Sequence, residues 1–240
     1  MGKGVLLPVH LVSFNNCFML SKAKVLNNRE RAYQHLRHAI LVGDIAYGHR
    51  LVDKDIAQEL GMSRMPVREA LLQLRSEGFL ESTYRGFILK VYSPESIFDI
   101  FSVRLLLEPE AAYQACQAAT DFQLTALQEA CEQVIATDQA GNIIDNLLAN
   151  WYFRRSWAQA VRNIHLKDTM DRLRDWAEQA RLHALAEAEF RHGTAQRVQA
   201  ITQSFVQRDP QSAREWVRKN LVICRDKYCA LQEELIHDAF

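Results

Sequence analysis

The stretch LGMSRMPVREALLQLRSEGFL, residues 60–80, constrains the fold of this chain more than any other segment does. Its apolar residues recur at positions i, i+3, i+4 and i+7, which predicts a helix with one buried face: Val67, Ala70, Leu71 and Leu74. Gly61 ends a shorter helix before it, Ser63 caps the new helix, and Pro66 falls in the first turn, where its missing N–H breaks no helical bond. The stretch therefore predicts two helices joined by a tight turn.

The flanking residues complete a small domain. Helical spacing of apolar residues from Arg29 to Leu41 predicts a first helix, and Asp53 is expected to be the N-cap of the short second helix. After Gly78, the segments FLEST and FILKVY are rich in β-forming residues and flank YRG, which predicts a two-stranded hairpin with a basic tip. Helices and hairpin in this order, within about 65 residues, are typical of a winged helix-turn-helix.

Three arginines lie along one side of the last helix of this domain. Arg64, Arg68 and Arg75 fall within roughly 40° of one another at 3.6 residues per turn. Burial of the apolar face leaves them pointing outward, as in helices that enter the DNA major groove. Alternatively, each is an ordinary solvated charge that contributes less than about 1 kcal/mol to stability. The capped turn before them and the basic hairpin after them favour DNA binding.

The formal net charge of zero hides an asymmetry between the two parts of the chain. Residues 1–93 contain 13 Lys and Arg against 8 Asp and Glu, whereas residues 94–240 contain 16 against 21. The basic N-terminal part is therefore the one expected to meet a polyanion.

The cysteine pattern and hydropathy indicate a cytoplasmic protein without a membrane span. The five cysteines are odd in number and contain no Cys-x-x-Cys motif, which is typical of free thiols in a reducing compartment. No run of 18 apolar residues predicts a membrane helix. The apolar start of the chain is interrupted by Pro8 and His10, so we interpret residues 1–28 as a disordered or mis-started tail, with Met19 a plausible initiator.

The remainder of the chain has helical patterns and no convincing strand. Ser93-Pro94-Glu95 is a compact helix start, with an N-cap, a proline and an acid in the first turn. Breaks are expected at Gly141, Gly193 and Asp209-Pro210. Six helices are predicted, near 94–118, 121–139, 142–163, 166–190, 195–207 and 210–236. The predicted fold is mainly α, with a winged helix-turn-helix domain at 29–92 and an all-α effector-binding and dimerisation domain at 93–240.

The N-terminal part resembles the winged helix of GntR-family transcription regulators. The resemblance lies in LVDKDIAQELGMSRMPVREALLQLRSEGFL followed by YRGFIL, and it covers residues 29–92. It implies contact with an operator through the second helix, the recognition helix and the wing, at Lys54, Ser63, Arg64, Met65, Arg68, Arg85 and Gly86. Met65 replaces the polar residue usual in that family, which shifts the expected readout toward a thymine methyl.

The helical part is similar to the FadR-like ligand domain known as FCD. The segments VRLLLEPEAA at 103–112 and RDPQSAREWVRKNL at 208–221 carry this resemblance. It implies a homodimer with a small-molecule pocket, often around a divalent metal held by one Asp and three His. The positions that match those ligands hold Asn150, Arg154, Val198 and Asn220. Arginine keeps its proton and valine has no lone pair, so we expect no metal and no cofactor.

Polar residues interrupt the apolar lines of these helices and predict a different ligand. Arg104, Asn150, Arg154 and Asn220 all lie on lines that otherwise face inward, and an unpaired buried polar group costs about 1–3 kcal/mol. Two guanidinium groups and two amides around one cavity would suit a small organic acid directly. Alternatively, Arg104 pairs with Glu108 one turn away, and Arg154 reaches the surface by its long stem.

The predicted function is a cytoplasmic, homodimeric transcription regulator, by resemblance a repressor, that binds a palindromic operator and responds to a small organic acid. One alternative is a regulator without an effector, its pocket filled by Trp157, Trp176 or Trp216. Another is an enzymatic or metal-binding bundle recruited by the winged helix. No Glu-x-x-His pair, phosphate loop or nucleophile motif supports it, and three histidines fit no metal spacing: His165, His183 and His192.

Overall fold

The computed structural model describes residues 27–41, 43–45, 48–90, 92–175 and 178–238. The chain divides into two compact units, one formed by residues up to Ser76 and by Leu80–Leu89, the other by Glu77–Phe79 and the residues from Lys90 onward. The predictions made for the first 26 residues and for Trp176 lie outside the described residues. In the described part, no helix is both long and apolar enough to cross a membrane.

The first unit is a three-helix cluster with a hairpin. Its elements are α1 (Asn28–Leu41), α2 (Asp53–Glu59), α3 (Arg64–Ser76), β1 (Leu80–Thr83) and β2 (Gly86–Leu89). The predicted order of helices and hairpin is confirmed. All four apolar residues of the α3 stripe are fully buried: Val67, Ala70, Leu71 and Leu74. Because α3 packs against both α1 and α2, its opposite side is left to solvent.

The hairpin is tied to the segment before α2. Strands β1 and β2 pair antiparallel from Leu80–Leu89 to Thr83–Gly86 around a two-residue turn. Leu51 joins the edge as a single bridge, exchanging backbone hydrogen bonds of 2.7 and 2.9 Å with Phe87. No strand was predicted at Leu51, because its partner Phe87 lies far along the chain.

Two details of the first unit correct the sequence analysis. The N-cap of α2 is Val52, with extended backbone and no side-chain cap, and Asp53 is the first helical residue. The Asp53 carboxylate instead accepts from Arg64 across the helix pair. Arg75 donates from Nη1 to Ser82 Oγ at 3.1 Å, so it supports the hairpin rather than extending the outward row.

The second unit is an all-α bundle. Its described helices are α4 (Pro94–Ala118), α5 (Asp121–Gln139), α6 (Ile143–Ala158), α7 (Ile164–Asp175), α8 (Glu178–Ala186), α9 (Ala188–Val206) and α10 (Pro210–Asp238). The long helices α4 and α10 pack along each other, and α5 packs against α6. The Phe101 and Tyr228 rings meet edge to face at 5.7 Å in this core.

The described residues of this unit form seven helices, not the six predicted. The predicted helix at 166–190 corresponds to α7, α8 and the start of α9, because Glu187, an N-cap without a side-chain cap bond, separates α8 from α9. The expected break at Gly193 is also wrong, since this glycine lies inside α9. A Cβ there would stand 3.0 Å from Arg197 Nη1, so the missing side chain makes room for that guanidinium.

Candidate nucleic-acid interface and ligand cavity

The exposed side of α3 presents two arginines held by one carboxylate. Arg64 Nη2 lies 3.0 Å from Asp53 Oδ1, and Arg68 Nη1 lies 3.9 Å from Asp53 Oδ2. The arginine side chains are 62% and 61% exposed, whereas Asp53 is 13% exposed. A fixed anion at the base of two solvated cations limits their rotamers, which lowers the ordering cost of gripping a partner. This is the arrangement expected of a pre-positioned anion-binding helix.

The other predicted contact residues of the first unit are also accessible. Met65 is 63% exposed beside the two arginines, and Lys54 and Ser63 are exposed on α2 and at the start of α3. At the hairpin tip the Arg85 guanidinium lies over the Tyr84 ring, 4.7 Å from its centroid. The structure thus places a further cation, Arg85, on the hairpin turn of the same unit.

Gly86 has a structural role in addition to any contact with a partner. Its φ is +142°, and a Cβ there would lie 2.5 Å from the Leu51 carbonyl oxygen. Only glycine lets Leu51 approach β2 this closely, so Gly86 permits the bridge that anchors the hairpin.

The second unit contains a cavity that collects all four predicted ligand residues. Arg104, Asn150, Arg154 and Asn220 line it, and they come from three different helices. Its volume is about 40 Å³, whereas roughly 10–15 Å³ suffices for one water molecule. The cavity therefore has room for a small ligand. Trp157 contributes to its wall, and Trp216 is not among the lining residues.

Two residues of the cavity wall, Arg104 and Glu108, belong to a buried cluster that also contains Arg174 behind the wall. Glu108 Oε1 accepts from Arg104 Nε at 2.6 Å, and Glu108 Oε2 accepts from Arg174 Nε at 3.1 Å. The three side chains are between 2% and 5% exposed. The predicted pairing of Arg104 with Glu108 is therefore present, and Arg174, on α7, is an unpredicted third member.

Two guanidinium nitrogens of this cluster are buried without an acceptor among the described residues, Arg104 Nη1 and Arg174 Nη2. Burial raises the pKa of Glu108, but the charges and hydrogen bonds of Arg104 and Arg174 outweigh it, so this pKa lies below its usual range. The Arg104 pKa is lowered by burial and raised more by Glu108, so it lies above its usual range. Glu108 and Arg104 are thus both charged near neutral pH, and the Glu108 carboxylate is shared by two guanidinium groups.

The amides of the cavity are each held at one end. Asn150 Nδ2 donates to the carbonyl and side-chain oxygens of Asn146, at 2.9 and 3.0 Å. Asn220 Oδ1 accepts from Arg197 Nε at 2.9 Å, and Arg197 Nη2 also donates to Thr194 Oγ1 at 2.8 Å. These bonds fix both amides in orientation before any ligand arrives.

The side chains present do not fit a metal ion. Asn150, Arg154, Val198 and Asn220 offer two amides, a permanent cation and a hydrocarbon where the FCD pattern has one Asp and three His. No cluster of three or more His, Cys, Asp or Glu suited to a metal occurs among the described residues. A cationic cavity wall would also repel a divalent cation.

Comparison with known proteins assigns the family. Residues 99–222 match the FCD domain family, and residues 28–86 match the gntR family of bacterial regulatory proteins. The chain belongs to the GntR family and carries an FCD domain. The sequence-based resemblance to both domains is confirmed.

Three relatives illustrate the similarity. The Nta operon transcriptional regulator of Aminobacter aminovorans is 37% identical over 40% of this chain and 45% of its own length. McbR of Escherichia coli is 32% identical over 50% of this chain and 54% of its own. The gluconate operon transcriptional repressor of Bacillus subtilis is 40% identical over 32% of each chain. The GntR regulator thus spans about half the length, or less, of these curated relatives.

The solved structure of E. coli McbR has the same fold. It superposes with a TM-score of 0.72 at 24% identity, covering 85% of this chain and 99% of that chain. The matched family is that of bacterial regulatory proteins, and the named relatives are transcriptional regulators.

Sequence reasoning missed Asp53 as a positioning residue and Arg174 as the second partner of Glu108. Asp53 was interpreted as a helix cap, since an acid at a helix start is common for that reason. Arg174 had no local signal, because its partner Glu108 lies 66 positions earlier in the chain. Inward-facing lines identify which residues are buried but not which distant partner each one meets.

Proposed function

We propose that this GntR regulator is a cytoplasmic homodimer that binds a palindromic operator and represses transcription. The proposal is carried by one observation: Arg64 and Arg68 project from α3, more than 60% exposed, on a shared Asp53 support. In a winged helix-turn-helix this helix enters the major groove, where arginine donates to guanine O6 and N7 or to phosphate. Arg85 on the hairpin tip supplies the wing contact, and Lys54 contacts the backbone.

The two-fold symmetry is proposed from the same chemistry, and repression from the family resemblance. One module reads few base pairs, so two copies on two half-sites are needed for useful specificity. A dimer bound across a promoter blocks polymerase by occupying its DNA. The relative from Bacillus subtilis is named as an operon repressor, which supports this mode.

The ligand part of the proposal is a small organic acid bound without a metal in the cavity of the second unit. It is supported by the buried excess of guanidinium over carboxylate at Arg104, Glu108 and Arg174. Asn150, Arg154 and Asn220 line the cavity together with Arg104 and Glu108. A carboxylate that accepts hydrogen bonds from a desolvated guanidinium makes a strong, charge-assisted interaction. A metal ion between the protein and the acid is therefore unnecessary. Binding of the acid alters operator affinity.

The test of operator binding is selection from a random duplex pool by the purified full chain. The expected result is an inverted repeat with half-sites about one helical turn apart, footprinted at one dimer per repeat. Recovery of no consensus sequence, or of a single unrepeated half-site, would refute binding of a homodimer to a palindromic operator. Metal analysis of the same preparation tests the cavity, since stoichiometric bound metal would contradict the metal-free site.

A further inference from the structure

The hydrogen-bonding capacity of the cavity restricts its ligand more narrowly than "organic acid" does. Arg104 is 2% exposed, lines the cavity and keeps Nη1 without an acceptor. Such a donor is costly to bury unpaired, so an anionic oxygen placed there gains more than it would in water.

The other polar groups are largely committed to one another. Thr194 Oγ1 donates to the Phe190 carbonyl and accepts from Arg197, and Tyr228 Oη accepts from Arg181 Nε. Arg154 is engaged in an interaction of its own. In the part of the chain that the structure describes, this leaves Asn150 Oδ1 and Asn220 Nδ2 as the amide ends open to a ligand.

The rest of the wall is hydrocarbon. Val198, Ile201 and Leu221 are at most 4% exposed, and they face the cavity together with Phe153 and Val217. Val198 stands where the FCD pattern has a metal-binding histidine, so the lost ligand position has become part of an apolar surface. Hydroxyl groups placed against this wall would be buried without partners, at a cost of about 1–3 kcal/mol each.

We propose that the ligand is a small monocarboxylic acid with an apolar body, its carboxylate at Arg104 and its hydrocarbon part against Val198, Ile201 and Leu221. This rests on the proposed metal-free acid cavity and names its ligand class. Among the described lining residues, Arg104 Nη1 is the one buried guanidinium nitrogen without an acceptor, so a second carboxylate would meet no second donor of this kind. A polyhydroxylated acid needs more partners than two amide ends supply. The small volume limits the body to a few carbon atoms.

Matched probes of nearly equal size test the class without altering the protein. Butyrate, its neutral isostere butyramide, the dihydroxylated glycerate, the dicarboxylate malonate and inorganic phosphate are titrated into the full chain by calorimetry and thermal unfolding, in the millimolar range. Butyrate is expected to bind at least about tenfold more tightly than each of the others, because each loses the charged contact or buries unpaired polar groups.

The outcomes separate the two proposals. Equal or tighter binding of glycerate, malonate or phosphate overturns the apolar monocarboxylate class and leaves the acid cavity standing. Equal binding of butyramide overturns the carboxylate contact at Arg104. No binding of any probe removes the acid effector itself, and the ligand class with it.

A matched pair of variants tests the wall. Val198→Thr adds a hydroxyl at the buried α9 position, whereas Val206→Thr makes the same change at a position 39% exposed at the end of that helix. Val198→Thr is expected to lower the affinity for butyrate roughly tenfold and to raise the affinity for glycerate relative to that for butyrate. Val206→Thr is expected to bind butyrate and glycerate with the same affinities as the natural chain. An unchanged ratio in Val198→Thr would show that the ligand does not touch this wall.

Discussion

At the scale of single residues, recognition by the first unit depends on the positions of two arginine side chains. Arg64 and Arg68 reach solvent but share Asp53, so their guanidinium groups are ordered before DNA arrives. Pre-ordered contacts lose less side-chain entropy on binding than free ones do. The buried stripe beneath them contributes to stability, and the outward pair contributes to recognition.

The Arg68→Ala variant is expected to lose operator affinity without losing stability. One good arginine contact is worth about 1–3 kcal/mol, so the dissociation constant rises roughly 5- to 150-fold. Thermal unfolding changes little, since Arg68 is 61% exposed and alanine is a good helix former. Arg162→Ala, an exposed arginine of the second unit, is the control. Electrophoretic titration with unchanged affinity for Arg68→Ala would show that α3 is not the reading helix.

Gly86→Ala is expected to disrupt the hairpin. The added Cβ meets the Leu51 carbonyl oxygen at 2.5 Å in a backbone conformation that side chains rarely adopt, at a cost of about 3 kcal/mol or more. Gly61→Ala is the matched control, because its φ is also positive but nothing lies within 4 Å. Its cost is about 1–2 kcal/mol. Chemical unfolding that ranks the two variants equally would contradict the steric role of Gly86.

At the scale of elements, local signals predicted the helices well and long-range contacts poorly. The bounds of α4 and α5 match the predicted 94–118 and 121–139, because Ser93 and Thr120 cap them through hydrogen bonds within three residues. The Leu51 bridge to Phe87 joins segments distant in the chain, so no local pattern marks it. The same distinction applies to the cavity: four of its lining residues were predicted from local patterns, but Arg174, the distant partner of Glu108, was not.

Glu108 ties α4 to α7, and its removal tests that link. Glu108→Gln keeps the size of the side chain but leaves Arg104 buried without a carboxylate and Arg174 with only Asp171, 3.8 Å away, which is expected to cost about 3–5 kcal/mol. Glu110→Gln, two residues along the same helix, removes a half-exposed pair with Arg214 and should cost less than about 1 kcal/mol. If urea unfolding shows the same loss of stability for Glu108→Gln and Glu110→Gln, the buried cluster contributes no more to stability than the half-exposed pair.

Acid should abolish the difference between Glu108→Gln and the natural chain. The pKa of Glu108 is lower in the folded protein than its ordinary value, so its stabilising effect is complete above the unfolded pKa of about 4.3. The effect is lost as pH falls through the lower, folded pKa. The difference between the unfolding free energies of the two proteins should therefore shrink as pH falls below the unfolded pKa, and a constant difference down to strong acid would contradict the assigned charge.

At the scale of the whole molecule, the two units differ in formal charge and in the kind of site that they contain. The basic part carries the exposed arginines, and the acidic part carries a cavity with a local excess of guanidinium. This difference in formal charge favours contact of nucleic acid with the first unit over the second. The proposed acid must therefore act on operator binding through protein conformation rather than by direct competition for DNA.

Such coupling is reciprocal, and this gives the last prediction. If saturating butyrate changes the operator dissociation constant by a certain factor, saturating operator must change the butyrate dissociation constant by the same factor, typically about 5- to 150-fold. Both constants are measured on the full chain at one ionic strength, with sodium chloride replacing sodium butyrate in the control, because salt alone weakens DNA binding. A butyrate affinity that stays the same on operator-bound protein, while operator affinity changes, would place the acid's effect outside the protein cavity. Equal factors in both directions would link the two units through one equilibrium.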